Sequence, residues 1–392
     1  MRTFHVASVI TVSAGVMILF RRYRNRLLQR PGSSYLRTAT NAKIADRPFM
    51  LDCYLCDVSR PRLPLPPPRC THSVRMVTWN INILCGLDWS TAVAATDAGK
   101  LLAELDADVI VLQEAPVEIL DQRWDPQLAT PMERVRALDS ILANLGYTLL
   151  RSPADNATLL ATRLPVEATE GFMLDDEPTA SVNGAEVWLE SRAARFALLR
   201  VPHLVGATPL CVYATHLAHK DATLVLPSIG QTVANGPMRH RQEDWSGAAS
   251  VNGVRRRQVG RLLQHWDSAR AARGTAVILA DFNQPLASHH DGEEWQVVSA
   301  GLASPHVDQP LDDGVATALA QRGFCSAYKL AASNNFGGRP APPFTHWTGT
   351  TVDFAYINGS PSSSTWHVSG AYTVNSPLSD HLPVVVDLVV RA

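Results

Sequence analysis

The sequence predicts an α+β fold of two mixed β-sheets flanked by helices. Three observations carry that expectation. Short runs rich in Val, Ile and Leu recur from Val74 to the end of the chain, each long enough for one strand. Helical periodicity fills only some of the intervals between them, so hairpins must join the others, and a strictly alternating parallel sheet fits less well. Several runs end in a carboxylate, an amide or an imidazole, which would gather polar groups at one rim of a sheet.

The elements follow in chain order. Residues 74–83 read as a strand, followed by a helix near 97–105. Residues 108–113 contain the unbroken apolar run Val109 to Leu112, which marks a buried strand. A helix over 132–145 places Val135, Leu138, Ile141, Leu142 and Leu145 on one face. Strands are expected near 147–151, 157–162, 186–190, 195–201 and 210–217. A helix over 254–266 aligns Val259, Leu262, Leu263 and Trp266, and 276–280, 352–358 and 382–390 read as the remaining strands.

Ahead of this body lies a different kind of sequence. Residues 4–20 are mostly apolar and run directly into Arg21, Arg22, Arg24 and Arg26. The run is marginal for a membrane span, which needs about 20 residues. Two readings stand. One is a membrane anchor through 4–20, with the positive charge holding the body in the cytosol. The other is a mitochondrial presequence, because eight Lys/Arg and no acid precede Asp46. Secretion fits least, since the basic stretch follows the apolar run. The chain thus divides into a head (1–45), a linker (46–72) that is proline-rich over 59–69, and a folded body (73–392), expected to be a monomer.

Charge divides the same way. Residues 1–70 hold 12 Lys/Arg against 3 Asp/Glu, and the remainder 23 against 33. An acidic body disfavours a long nucleic-acid track, whose affinity rests on phosphate contacts. The six cysteines are scattered; Cys53 and Cys56 form a CxxC with no second pair, so no disulfide framework or zinc site is read.

The chemistry concentrates at the strand ends. Asn80 closes one strand, and alternation would put Asn82 on its face. Glu114 ends a buried strand, where a carboxylate needs a cation, donors or water. His216 ends the strand begun at Leu210 and would donate to a phosphoryl oxygen or shuttle protons. Asp281 and Asn283 share a side if extended geometry continues, an acid to take a proton from water and an amide to hold it. The same Asp-Phe-Asn also suits an Asx turn. Asp353, beside Phe354, needs a partner, and His381 is the natural one: a carboxylate would charge the imidazole, which would then neutralise a phosphoryl oxygen. Asp380 is left to hold a cation.

The joint order of these segments is more specific than any one of them. Trp79-Asn80, Gln113-Glu114, Thr215-His216-Leu217, Asp281-Phe282-Asn283, Asp353-Phe354 and Ser379-Asp380-His381 together resemble the endonuclease/exonuclease/phosphatase superfamily with the DNase I-like fold, over residues 74–390. The resemblance implies a four-layer αββα sandwich that hydrolyses phosphoesters with Mg2+ or Mn2+. By motif position it implies Asn80 and Glu114 at the metal and phosphate, Asp380 either on the metal or behind its ligands, and His216 at the phosphate. It implies Asp281 and Asn283 on the attacking water, and His381 with Asp353 at the transition state. One departure stands out. Several nuclease branches carry an aspartate where this chain has Asn82, so one acidic metal ligand of those branches is missing.

Loops choose among the substrates of such a site. Nucleic-acid ends with a small footprint are preferred here over lipid or inositol phosphates. Trp347, in Phe344-Thr345-His346-Trp347, is a candidate to stack on the substrate. The long connection 220–253 and Arg255-Arg256-Arg257 are read as a solvated loop and a solvated helix face. A non-catalytic anchored binding module is the reading from a different class.

Overall fold

The computed structural model describes residues 65–69, 72–84, 95–116, 129–152, 157–175, 179–182, 185–188, 192–202, 209–218, 225–226, 231–232, 251–269, 274–283, 315–331, 345, 351–358, 366–374, 376 and 378–390. The head and most of the linker lie outside these residues, as do Trp347, the CxxC and most of 220–253. Among the described residues no helix is long and apolar enough to cross a membrane.

The chain moves between two sheets. β1 (Ser73–Asn80), β2 (Val109–Gln113), β3 (Thr148–Arg151) and β4 (Leu159–Thr162) belong to the first, with α1 (Ala95–Leu105) before β2 and α2 (Ala129–Asn144) after it. β5 (Val166–Met173) enters the second sheet. β6 (Thr179–Val182) pairs with β7 (Ala185–Trp188) in a separate ribbon, and β8 (Ala193–Leu199) and β9 (Leu210–His216) return to the second sheet. β10 (Val225–Leu226) and β11 (Gln231–Thr232) form another ribbon. After α3 (Val251–Ala269) come β12 (Ala276–Asp281), α4 (Val315–Gln321), β13 (Phe324–Ser326), α5 (Ala327–Ala331) and β14 (Asp353–Asn358). β15 (Trp366–Thr373) and β16 (Val384–Val390) go back to the first sheet. Each main sheet has six strands, in the orders β15-β16-β1-β2-β4-β3 and β13-β14-β12-β9-β8-β5.

Strand periodicity explains the layering. Along β1, Val74 and Met76 join the core between the sheets, with Val109 and Val111 of β2 and Val212 and Ala214 of β9. Val77 and Trp79 point the other way, into a second core with Leu101, Leu102 and Leu105 of α1 and Leu138 and Leu142 of α2. Val259, Leu262, Leu263 and Trp266 of α3 cover the far face of the second sheet. Helix, sheet, sheet, helix: the expected two-sheet α+β sandwich is observed.

The strand expected over 74–83 ends at Asn80, and Asn82 lies in a left-handed turn with φ 45°. Asn80 and Asn82 therefore do not share a strand face. Arg255 is not on a solvated face: it is 2 % exposed, and its Nε donates to the Ala218 carbonyl at 2.8 Å. Arg256 and Arg257 are exposed as expected. The proline-rich segment is docked at its end, where Arg69 pairs with Asp108 at 2.6 Å and the Pro67 carbonyl accepts from Arg75 at 2.7 Å.

Candidate active site

Pairing of the strands brings the polar ends to one rim. β1 and β2 are parallel, with Asn80 opposite Gln113, so Glu114 follows beside Asn80. In the facing sheet, parallel pairing sets Asp281 opposite His216, and antiparallel pairing sets Asp281 opposite Asp353. β16 runs antiparallel to β1, which brings the residues just before it, Ser379 to His381, to the same rim.

Asp281 is fully buried and lies where the two sheets meet. Its Oδ2 accepts from Asn80 Nδ2 at 3.0 Å and lies 3.4 Å from His216 Nε2 and 3.9 Å from His381 Nε2. Its Oδ1 accepts the Asn283 amide N–H at 2.7 Å. That bond is an Asx turn, and Asn283 has φ 52°. Extended geometry thus stops at Asp281, and the turn, not strand alternation, places Asn283. The Asn283 side chain turns to His216, with Nδ2 2.6 Å from Nε2 and 3.0 Å from the Leu217 carbonyl. Burial pushes the Asp281 carboxyl above its ordinary pKa, and the Asp353 charge adds to this. The His381 charge, Asn80 and the Asn283 N–H work against it.

Two acids directly opposite on neighbouring strands repel each other. His381 resolves the conflict. Its Nδ1 is 2.9 Å from Asp353 Oδ2 while its Nε2 faces Asp281. Burial alone would lower the imidazole pKa, but Asp353, then Asp281 and Asp380, lift it to about 10. His381 is therefore an imidazolium at neutral pH. Asp353 Oδ1 is buried with no hydrogen-bond partner among the described residues.

Asn80 links this cluster to a second one. Its Oδ1 accepts the Asn82 N–H at 2.9 Å, which aims Nδ2 at Glu114 Oε1 and Asp281 Oδ2, both at 3.0 Å. Glu114 and Asp380 are both partly buried. Burial pushes the Asp380 carboxyl up; His381 opposes that, and the nearby Glu114 charge reinforces it. Glu114 itself has φ 52°, so the chain leaves β2 sharply at this point.

Other residues lock the constellation. Ser379 Oγ donates to the Asn80 carbonyl at 2.7 Å and accepts the His381 N–H at 3.1 Å. Trp79 Nε1 donates to the His381 carbonyl at 3.0 Å. Thr345 Oγ1 accepts the N–H groups of Val352 and Asp353 at 3.0 and 3.1 Å, and its carbonyl accepts from Leu382 at 2.7 Å. Thr345 therefore fixes Asp353 relative to His381. Arg192 Nη1 lies 3.3 Å from His216 Nδ1, and Gln258 joins the loop after His216 to Asp175. Ser379 and Trp79 belong to the Ser379-Asp380-His381 and Trp79-Asn80 segments, and Thr345 to the stretch that carries Trp347. Arg192 carried no sequence signal.

Two groups of donors could meet a cation. Asp281, Asp353 and His381 each offer one atom within 4.8 Å of the others. A protonated imidazole cannot ligate a metal, so there His381 is itself the counter-charge. Glu114, held by Asn80, and the nearby Asp380 present hard oxygen ligands at the more open side. Four carboxylates gather around one imidazolium, a donor set that suits a divalent cation.

Comparison with known proteins decides the kinship. The sequence model of the endonuclease/exonuclease/phosphatase family matches residues 77–381. The chain belongs to that family. An endonuclease/exonuclease/phosphatase from Beutenbergia cavernae is 18 % identical with a TM-score of 0.51, over 81 % of this chain and 72 % of that one. A mannosyl-6-phosphatase of Bacteroides thetaiotaomicron is 15 % identical with a TM-score of 0.46, over 81 % and 99 %. The human nocturnin catalytic domain is 18 % identical with a TM-score of 0.44, over 85 % and 97 %. The first likeness speaks to the fold alone, which is that of the DNase I-like sandwich. No curated protein matches the chain by sequence.

Proposed function

We propose that this chain hydrolyses phosphodiesters with a divalent metal ion, using water activated by Asp281, and that its substrates are nucleic-acid ends. The observation that carries the reading is the environment of Asp281 Oδ2. One buried carboxylate oxygen meets the Asn80 amide, the His216 imidazole and the His381 imidazolium within 3.0 to 3.9 Å. Such an oxygen is placed to accept a proton from a water whose oxygen bonds to phosphorus as the P–O bond to the leaving group breaks.

The other residues take roles consistent with their contacts. Asn283 and His216, in contact with each other, orient the water and one phosphoryl oxygen. His381, held by Asp353, brings positive charge to the oxygen on which negative charge grows. Glu114 and Asp380, with Asn80 as the bridge between clusters, would hold Mg2+ or Mn2+. The ion would supply Lewis-acid polarisation of the phosphoryl group.

The substrate class follows from charge and scale. An acidic body suits a short footprint, where the site and not a basic track holds the ligand. The test is turnover of 5′- and 3′-labelled DNA and RNA oligomers beside sphingomyelin micelles and inositol phosphates, with Mg2+, Mn2+ or chelator. Metal-dependent shortening of an oligomer from one end is expected. Turnover confined to lipid or inositol phosphate would overturn the substrate assignment.

A further inference from the structure

Asn82 is 5 % exposed, and its Nδ2 has no hydrogen-bond partner among the described residues. Folded proteins leave few buried donors unmatched, because the lost hydration is not repaid. The backbone at the same place is also held in an unfavourable state. Asn82, Ile83 and Leu84 have φ of 45°, 52° and 55°, and Ile83 is β-branched. Successive left-handed residues persist only where the surroundings impose them, and such sites cluster where ligands are held.

The surroundings are specific. Asn82 N–H donates to Asn80 Oδ1 at 2.9 Å, Ile81 N–H to the Gln113 carbonyl at 3.0 Å and Ile83 N–H to the Glu114 carbonyl at 3.1 Å. Leu84 N–H closes the turn on the Ile81 carbonyl at 2.7 Å. The turn is thereby tied to Asn80 and Glu114. Asn80 has no donor to spare, since Nδ2 serves Glu114 and Asp281. Among the described residues of this strand end, Asn82 holds the side-chain donor left without a partner.

We propose that Asn82 is a substrate-binding residue whose amide donates a hydrogen bond to an anionic oxygen of the phosphoester beside the scissile phosphorus. The assignment rests on the phosphoester reading of the site and extends it to how the phosphoryl group is held. An amide brings two N–H donors and no charge. A carboxylate of the same shape brings acceptors only, repelling phosphoryl oxygens and attracting cations. With asparagine the position serves the substrate, as a donor to an anionic oxygen of the reacting phosphoryl group itself.

The left-handed backbone supplies clean variants, because Gly and Asp both tolerate positive φ. Asn82→Gly deletes the amide, and Asn82→Asp exchanges its NH2 for oxygen. The full chain and both variants are compared for KM and kcat on bis(p-nitrophenyl) phosphate with Mg2+ or Mn2+. Affinity for inorganic phosphate is measured by calorimetry, and folding is checked by urea midpoint. KM is expected to rise about tenfold in Asn82→Gly and further in Asn82→Asp, as for loss of a hydrogen bond to a charged group. Phosphate affinity should fall in the same order. Equal KM and equal phosphate affinity in all three would overturn the assignment. So would an Asn82→Asp protein that binds Mg2+ more tightly at unchanged KM. If the parent chain shows no turnover, the hydrolase reading fails by itself; Asn82-dependent phosphate binding would still support the assignment, and absence of phosphate binding would end it.

Discussion

Asp281 and His381 set the chemistry at the scale of single residues. Asp281→Asn keeps an oxygen to accept the Asn283 N–H but removes the base. A loss of about a hundredfold or more in kcat is expected, with the fold retained, by steady-state kinetics and circular dichroism. His381 gives a pH prediction. Its imidazole is charged up to about pH 10 in the fold and only to about 6.5 in the unfolded chain. The stability it contributes is fully present below about pH 6.5 and is lost as pH rises through about 10. Asp353→Asn removes its main partner and should move the alkaline limb of both activity and stability to lower pH, read by pH-dependent turnover and urea unfolding. Asn80, Glu114, His216 and Asp281 were legible because each closes or directly follows an apolar run, whereas Asp353 and His381 precede one. Their pairings were less so. Spacing-two arguments for Asn82 and Asn283 assume extended chain, and both sit at positive φ, a property of the turn that alternation does not encode.

Elements differ in how plainly the sequence announces them. β2 and β12 are buried along their whole length and read as apolar runs. β5 and β15 were not anticipated. Each is an edge strand, so one side lacks a neighbour and polar residues such as Glu167, Glu170 and Ser369 are tolerated. β15 also contains an irregularity between Val368 and Gly370, where a Cβ on Gly370 would lie 2.3 Å from the Tyr372 hydroxyl. The rim opposite the site has its own anchor. Arg75 of β1 sits opposite Asp387 of β16 and pairs with both its oxygens at 2.7 and 2.8 Å, while also reaching the Leu105 and Pro67 carbonyls. Asp387→Ala leaves a buried guanidinium short of its counter-charge. A loss of about 3–5 kcal/mol in urea unfolding is expected, with KM unchanged because the site lies at the other end of the strands.

Across the whole molecule, two sheets turn strand ends that are distant in sequence into one rim. Asn80 of the first sheet reaches Asp281 of the second, and Ser379 bonds back to Asn80 from the last segment of the chain. Periodicity in the sequence supported two mixed sheets, but strand order was not legible in it, since the pairing of β16 with β1 joins the two ends of the body. The acidic body predicts a shallow salt dependence. A footprint of two or three phosphates gives a log–log slope of about −2 for a single-stranded oligomer, measured by fluorescence anisotropy. A slope several times steeper would point to an extended nucleic-acid track. The most direct measurement of the central claim is turnover of a labelled oligonucleotide by the full chain and its Asp281→Asn variant, each with Mg2+ and with chelator. Metal-dependent cleavage by the parent, lost in a folded Asp281→Asn protein, is the predicted result. Equal turnover by both proteins, or turnover indifferent to chelator, would contradict it.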